Sequence, residues 1–115
     1  MQIKKYEEVP NKSVQTEGAQ DVSMRLLLSK EDGARNFVMR MFEISPGGHT
    51  PYHAHDWEHE VYVLEGKGII AYEGQDIPLS AGNVLLVPEG NKHQFRCAGP
   101  QSFRFLCLVP PRGQA

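Results

Sequence analysis

Apolar positions along this chain come in short runs, each closed by turn-forming residues, and no run sustains the three-to-four-residue period of a long helix. The segment VSMRLLLS reads as an early strand, and NFVMRMFEIS as a second that ends at Pro46-Gly47-Gly48. HEVYVLE runs into Gly66-Lys67-Gly68, and GIIAYE into Gly74-Gln75. DIPLS meets Ala81-Gly82, and NVLLVP stops at Glu89-Gly90-Asn91. HQFRC ends near Gly99-Pro100, and SFRFLCLV closes at Pro110-Pro111. β-Branched and aromatic residues suit a pleated, half-buried surface, while Gly, Pro and Asn supply the turns between. Many short strands at this spacing predict an all-β domain, a sandwich or small barrel. The first twenty or so residues and the tail PPRGQA read as peripheral, Asn11 to Gln20 as a loop, and MQIKKY as an exposed strand.

Length and composition narrow the picture. A chain of 115 residues, 40% hydrophobic and 23% charged, can build one domain over residues 1–115, its core spanning about 24–109. A net charge of −2 with no basic stripe gives no reason to expect nucleic acid. Runs such as Val84-Leu85-Leu86-Val87 are far too short to span a bilayer, so no membrane role is expected. The N-terminal stretch has lysines but no apolar run of the secretory kind, and two cysteines, Cys97 and Cys107, make no disulfide framework. A cytoplasmic location is the expectation.

The candidate chemistry lies in GGHTPYHAHDWEHEVYVLEG, where four of the five histidines fall within eleven residues. His53 and His55 are two apart, so on a strand they face the same way, roughly 6.6 Å apart along the chain. Two imidazoles so placed can converge on one ion at about 2.0–2.1 Å. His59 would stand roughly 13 Å from His55 on an extended chain, so a shared ion requires a bend at Asp56-Trp57-Glu58. His93 comes from a remote strand just after the turn PEGNK. His49 fits no ligand position and reads as a loop residue.

At these residues the chain resembles the cupin superfamily, from roughly Phe37 to Val109. In the first cupin motif a glycine precedes HxH, a glutamate and a second glycine. Here Gly47, His53-Ala54-His55, His59 and Gly66 fall in register. In the second motif a glycine precedes Pro-x-Gly, a histidine and an asparagine. Here Gly82, Pro88-Glu89-Gly90 and His93 do so, with fifteen residues between the motifs. Two positions depart: His59 stands where the family has glutamate, and Cys97 where it has asparagine. Glu60 is the rival third ligand, but it leaves the spacing to Gly66 one residue short and lies on the opposite strand face. The run Trp57-Glu58-His59-Glu60 is similar to small single-domain cupins that bind manganese or related ions through four histidines. The resemblance implies a double-stranded β-helix of jelly-roll type holding one divalent transition metal through His53, His55, His59 and His93.

Four neutral ligands would leave the full charge of the ion at the site, which favours anionic oxygen ligands. Imidazole suits Zn, Cu, Fe and Ni, and manganese enters through the resemblance. Strand parity places Phe95 on the face of His93, and Phe103, Phe105, Cys107 and Val109 on one face of the last strand. The resemblance brings Phe105, Cys107 and Val109 to the metal cavity; the alternative, foremost for Phe103 and Val109, is that they are barrel core. Cys107 is open between nucleophile, fifth ligand and inert filling. Arg40 interrupts an apolar strand, pointing either inward to hold a substrate carboxylate or outward into solvent. Three functions are consistent with this: a dioxygenase-like oxidoreductase on a small organic molecule, a metal-dependent isomerase or lyase, and a non-catalytic small-molecule sensor. MQIKKY as a free edge strand, together with the habit of small cupins, predicts a homodimer.

Overall fold

The structure, a computed structural model, describes residues 1–114. Nine strands follow one another: β1 (Lys12–Ser13), β2 (Gln20–Leu28), β3 (Val38–His49), β4 (His59–Glu65), β5 (Lys67–Tyr72), β6 (Gln75–Ser80), β7 (Val84–Val87), β8 (His93–Cys97) and β9 (Phe103–Val109). The only helical elements among the described residues are three 3₁₀ turns, Tyr6–Glu8, Lys30–Asp32 and Pro111–Gly113. The chain is all-β, as its pattern of short punctuated runs implies.

All nine strands belong to one sheet that curls on itself in the jelly-roll manner, ordered β6-β5-β8-β3-β9-β4-β7 with β2 on β3 and β1 on β2. The length of β3 makes the curl possible. Its first part, Val38 to Ile44, pairs with β9 on one side and β2 on the other. Its far end, at His49, pairs with Arg96 of β8 and so carries the sheet into its second half. Between the halves lies one contiguous apolar core, in which Val38, Ile44, Val63, Phe103 and Phe105 are at most 1% exposed. The strands alternate as a one-sided sheet requires: β4 buries His59, Val61 and Val63 and exposes Glu60, Tyr62 and Leu64. At Gly66, between β4 and β5, φ is +84° and an added Cβ would collide with the Ser102 carbonyl, so this turn takes only glycine.

Four local expectations are corrected. MQIKKY is not a strand: the segment turns through Tyr6–Glu8 and lies against the outside of the sheet. The Tyr6 ring sits beneath the guanidinium groups of Arg25 and Arg104, 5.5 and 5.2 Å from its centroid. Arg25 also donates to the carbonyls of Tyr6, Glu7 and Val9. Val9 then packs with Leu27 and Met41 in a small separate cluster, which ties the segment down and leaves it unavailable as an edge strand. Within the presumed loop Asn11 to Gln20, Lys12 and Ser13 pair with Met24 and Ser23. His49 ends β3 rather than sitting in a loop. The tail is not wholly peripheral either, since Gly113 is buried; Ala115 lies outside the described residues.

Candidate metal centre

The histidines reach one another through backbone pairing between remote segments. His53 and His93 form an isolated antiparallel bridge, each amide donating to the other's carbonyl (3.2 and 3.0 Å). Beyond it, the Gly90 amide donates to the His55 carbonyl at 2.8 Å, which pins the PEGNK turn against the HxH segment. The chain then bends at Asp56 and Trp57 before β4 opens with His59 facing inward. That is the bend the spacing demanded.

One candidate ligand nitrogen from each of His53, His55 and His93 can be chosen so that all three lie within 4.8 Å of one another. Around a single ion with bonds of about 2.1 Å, neighbouring nitrogens stand about 3.0–3.4 Å apart. His53 Nε2 and His55 Nε2 are 3.3 Å apart, so the pair fits a shared cation. His93 Nδ1–H donates to the Asn91 carbonyl at 3.0 Å, which leaves its Nε2 lone pair for a ligand.

His59 faces the same space but stands apart from that triplet. Its ring stacks on His55, with centroids 4.4 Å apart and planes 14° off parallel. Its Nε2 lies 3.0 and 3.2 Å from the two nitrogens of His55, over that ring rather than beside it. Its Nδ1 is 3.2 Å from Cys107 Sγ. Glu60, the rival ligand, is exposed on the outer face of β4 and points away from the cluster. His49 is also separate, with its Nδ1 near the Thr50 carbonyl and Gln94.

Burial sets the protonation of these rings. Desolvation lowers the pKa of all four, most of all His59, which is brought to about 2, and His55, brought to about 4. Neighbouring histidines and Arg40 add repulsion at His53, His55 and His59. The rings are therefore neutral near pH 7, the form that binds metal. Neutral nitrogen donors at ligand spacing fit a divalent transition metal.

The histidines line a cavity of about 280 Å³ together with four aromatic side chains, Phe42, Trp57, Phe95 and Phe105, and with Val14, Val22 and Pro51. Phe95 and Phe105 touch at 4.7 Å between centroids, and Phe105 and Phe42 at 5.5 Å. Arg40, Thr50 and Cys107 also reach the cavity. Arg40 points inward, 6% exposed, and Cys107 is buried and unpaired, as is the partly exposed Cys97. Burial pushes the Cys107 thiol up, against a smaller opposing pull from Arg40.

Of the expected wall residues, Phe95, Phe105 and Cys107 are in place, and Val109 is not. It shares the inward face of β9 but lies two positions farther along the strand, bordering a separate depression with Phe37 and Glu58. Sequence reasoning missed Phe42, although it follows Arg40 by two and so shares its face. It also missed Thr50 and Trp57. The cover formed by Gly113 against Trp57 brings distant segments together and left no local signal.

A curled jelly-roll sheet with a histidine group that could hold a metal ion, opening on an apolar interior, defines a class of small β-barrel domains. Residues 40–109 match the family model described as Cupin domain, and the chain belongs to that family. It is 33% identical over 96 residues to an oxalate-binding protein of Thermotoga maritima, spanning 80% of this chain and 78% of that one. It is 31% identical over 80 residues to the polyketide synthase protein CurC of Streptomyces cyaneus, spanning 69% of this chain but only 52% of CurC. Its structure superposes on the polyketide cyclase RemF from Streptomyces resistomycificus with a TM-score of 0.92 and 36% identity, covering 96% of this chain and 80% of RemF.

Proposed function

We propose that the chain holds one divalent first-row metal, manganese or a near relative, through His53, His55, His59 and His93, and promotes ring closure of a small enolisable polyketone in the adjoining cavity, the α-carbon of one ketone bonding to a second carbonyl carbon while its proton passes to that carbonyl's oxygen. The observation that carries this reading is the donor set: uncharged imidazoles gathered in the wall of a cavity whose lining, among the described residues, includes no carboxylate. His59 is the fourth ligand because it is the inward-facing group of the bend, while Glu60 faces solvent. When bound, the metal supplies Lewis acidity that polarises a substrate carbonyl.

The remaining work falls to this chain's residues. Phe42, Phe95, Phe105 and Trp57 offer flat faces to a planar, conjugated ligand and exclude water from it. A volume of about 280 Å³ takes a molecule of one or two rings, or the reacting end of a longer one. Thr50 is engaged with the backbone of Phe95, accepting from its amide at 2.9 Å, so it shapes the wall rather than moving protons. The likeness to the polyketide cyclase RemF supports cyclisation, which needs no oxidant; the likeness to the oxalate-binding protein supports a second reading, a binder without turnover.

The test is to incubate metal-loaded protein with synthetic linear β-polyketones under nitrogen and in air, following ring formation by mass spectrometry. Cyclisation that proceeds equally without oxygen, and with zinc in place of manganese, is the expected result. Turnover that requires stoichiometric oxygen would assign the site to the oxidoreductases, and ligand binding without product would leave the binder.

A further inference from the structure

Arg40 is out of keeping with its surroundings. It lies on β3 between Met39 and Met41, opposite Cys107 of β9 in the strand register, and both side chains face the cavity. The residue is 6% exposed, yet among the described residues its guanidinium takes part in no ion pair. Its partners are weak ones: Nη2 donates to the thiol of Cys107 at 3.2 Å, and the group lies over the Phe42 ring, 4.9 Å from its centroid. Its Nε–H is buried with no acceptor. A buried charge with an orphaned donor is costly unless something completes it, and nothing of opposite charge lines this cavity.

We infer that Arg40 is the residue that selects a carboxylate-bearing ligand, holding the carboxylate beside the histidines, since Cys107 Sγ lies 3.2 Å from both Arg40 Nη2 and His59 Nδ1. A carboxylate is the complement of a guanidinium that has unpaired N–H groups, because the planar fork meets two oxygens at once. The aromatic walls then fix the rest of the molecule as flat and apolar. Charge counting agrees: a divalent ion on neutral imidazoles plus a guanidinium gives a cavity with no internal anion, so an acidic ligand fits better than a neutral one. The inference extends the proposed function by naming its substrate class, an enolisable ketone that also carries a carboxylate.

Trp57, the chain's one tryptophan, lines the same cavity and supplies a binding signal through its fluorescence. The probes are benzoate and its neutral isostere benzamide, titrated into chelator-treated protein so that no metal takes part. Wild type is expected to prefer benzoate by about ten- to a hundredfold, the range of one charge-assisted hydrogen bond. Arg40→Met, which fills the same space without charge and should fold, abolishes the preference; Arg40→Lys keeps the charge but not the fork and retains only part of it. Equal binding of the two probes by wild type, no benzoate binding at millimolar concentration, or an undiminished preference in Arg40→Met would overturn the inference. Metal content of wild type measured before chelator treatment separates the two readings: equal binding of the two probes by a wild type that carries full metal overturns the Arg40 inference alone, and a benzoate preference in a wild type that takes up no metal overturns the metal site alone.

Discussion

The indole of Trp57 lies flat on the imidazole of His55, with centroids 4.6 Å apart and planes 3° from parallel. His55 is thereby sandwiched between Trp57 and His59, and its ring is held by packing rather than by a hydrogen bond to a carboxylate. On its other side Trp57 meets Gly113, where an added Cβ would come within 2.6 Å of the indole nitrogen. Arg112 closes the cover by donating to the Asp56 carbonyl at 3.1 Å. Groups that orient a metal ligand typically contribute ten- to a hundredfold to affinity. Trp57→Ala should therefore weaken metal binding by about tenfold. Gly113→Ala, by displacing the indole, should weaken it in the same direction and shift the tryptophan emission. A competition titration against a chromophoric chelator reads the first effect and a fluorescence spectrum the second.

The buried histidines set a pH dependence for the metal-free chain. All four have folded pKa values below the ordinary histidine value of 6.5, chiefly through desolvation. Below that value the unfolded chain takes up protons that the folded chain refuses, so stability is full above about pH 6.5 and falls as the pH drops. His59, whose folded value is brought to about 2, should contribute a slope approaching about 1.4 kcal/mol per pH unit below pH 6.5, and His93 acts in the same direction. Urea unfolding of chelator-treated protein between pH 7 and pH 5 checks this. His59→Gln should flatten the slope by about one proton's worth.

The outer surface carries an unsatisfied apolar strip. Tyr62 on β4 pairs with Val84 on the edge strand β7, and Glu60 with Leu86. Val84 and Leu86 are 72% and 61% exposed, and Tyr62 is half exposed. Leu106 and Leu108 of β9 continue the strip beside β4. We propose that a second copy of the chain covers it, with this face replacing MQIKKY as the basis for a homodimer. Sedimentation equilibrium should give twice the chain mass. Leu86→Glu should return it to the monomer with the histidine site intact, and a wild type that sediments as a monomer at tens of micromolar would remove the proposal.

Much of this was legible in the chain because strand parity is a strict rule. His59, Val61 and Val63 alternate with Glu60, Tyr62 and Leu64, so the burial of one set and the exposure of the other follow from the sequence alone. Parity also puts Phe95, Phe105, Cys107 and Val109 on inward faces, but it fixes only the face and not the height along the barrel, and Val109 packs in the core away from the histidine cavity. The His53–His93 bridge joins segments forty residues apart and could be reached only through the family resemblance. The inward turn of Arg40 was undecidable from a strand with methionines on both sides. The anchoring of the N-terminus by Tyr6 between two arginines depends on side chains that are remote in sequence.

The central claim is that inward-facing imidazoles from two remote segments share one cation. Elemental analysis of untagged protein, purified without chelators, tests it most directly when wild type is set beside His93→Ala, His59→Ala and Glu60→Ala. The account predicts about one divalent transition-metal ion per wild-type chain, undiminished in Glu60→Ala and lost or sharply reduced in both histidine variants. A wild-type chain that carries no metal even after dialysis against manganese, zinc or nickel would contradict it, as would full occupancy in His93→Ala.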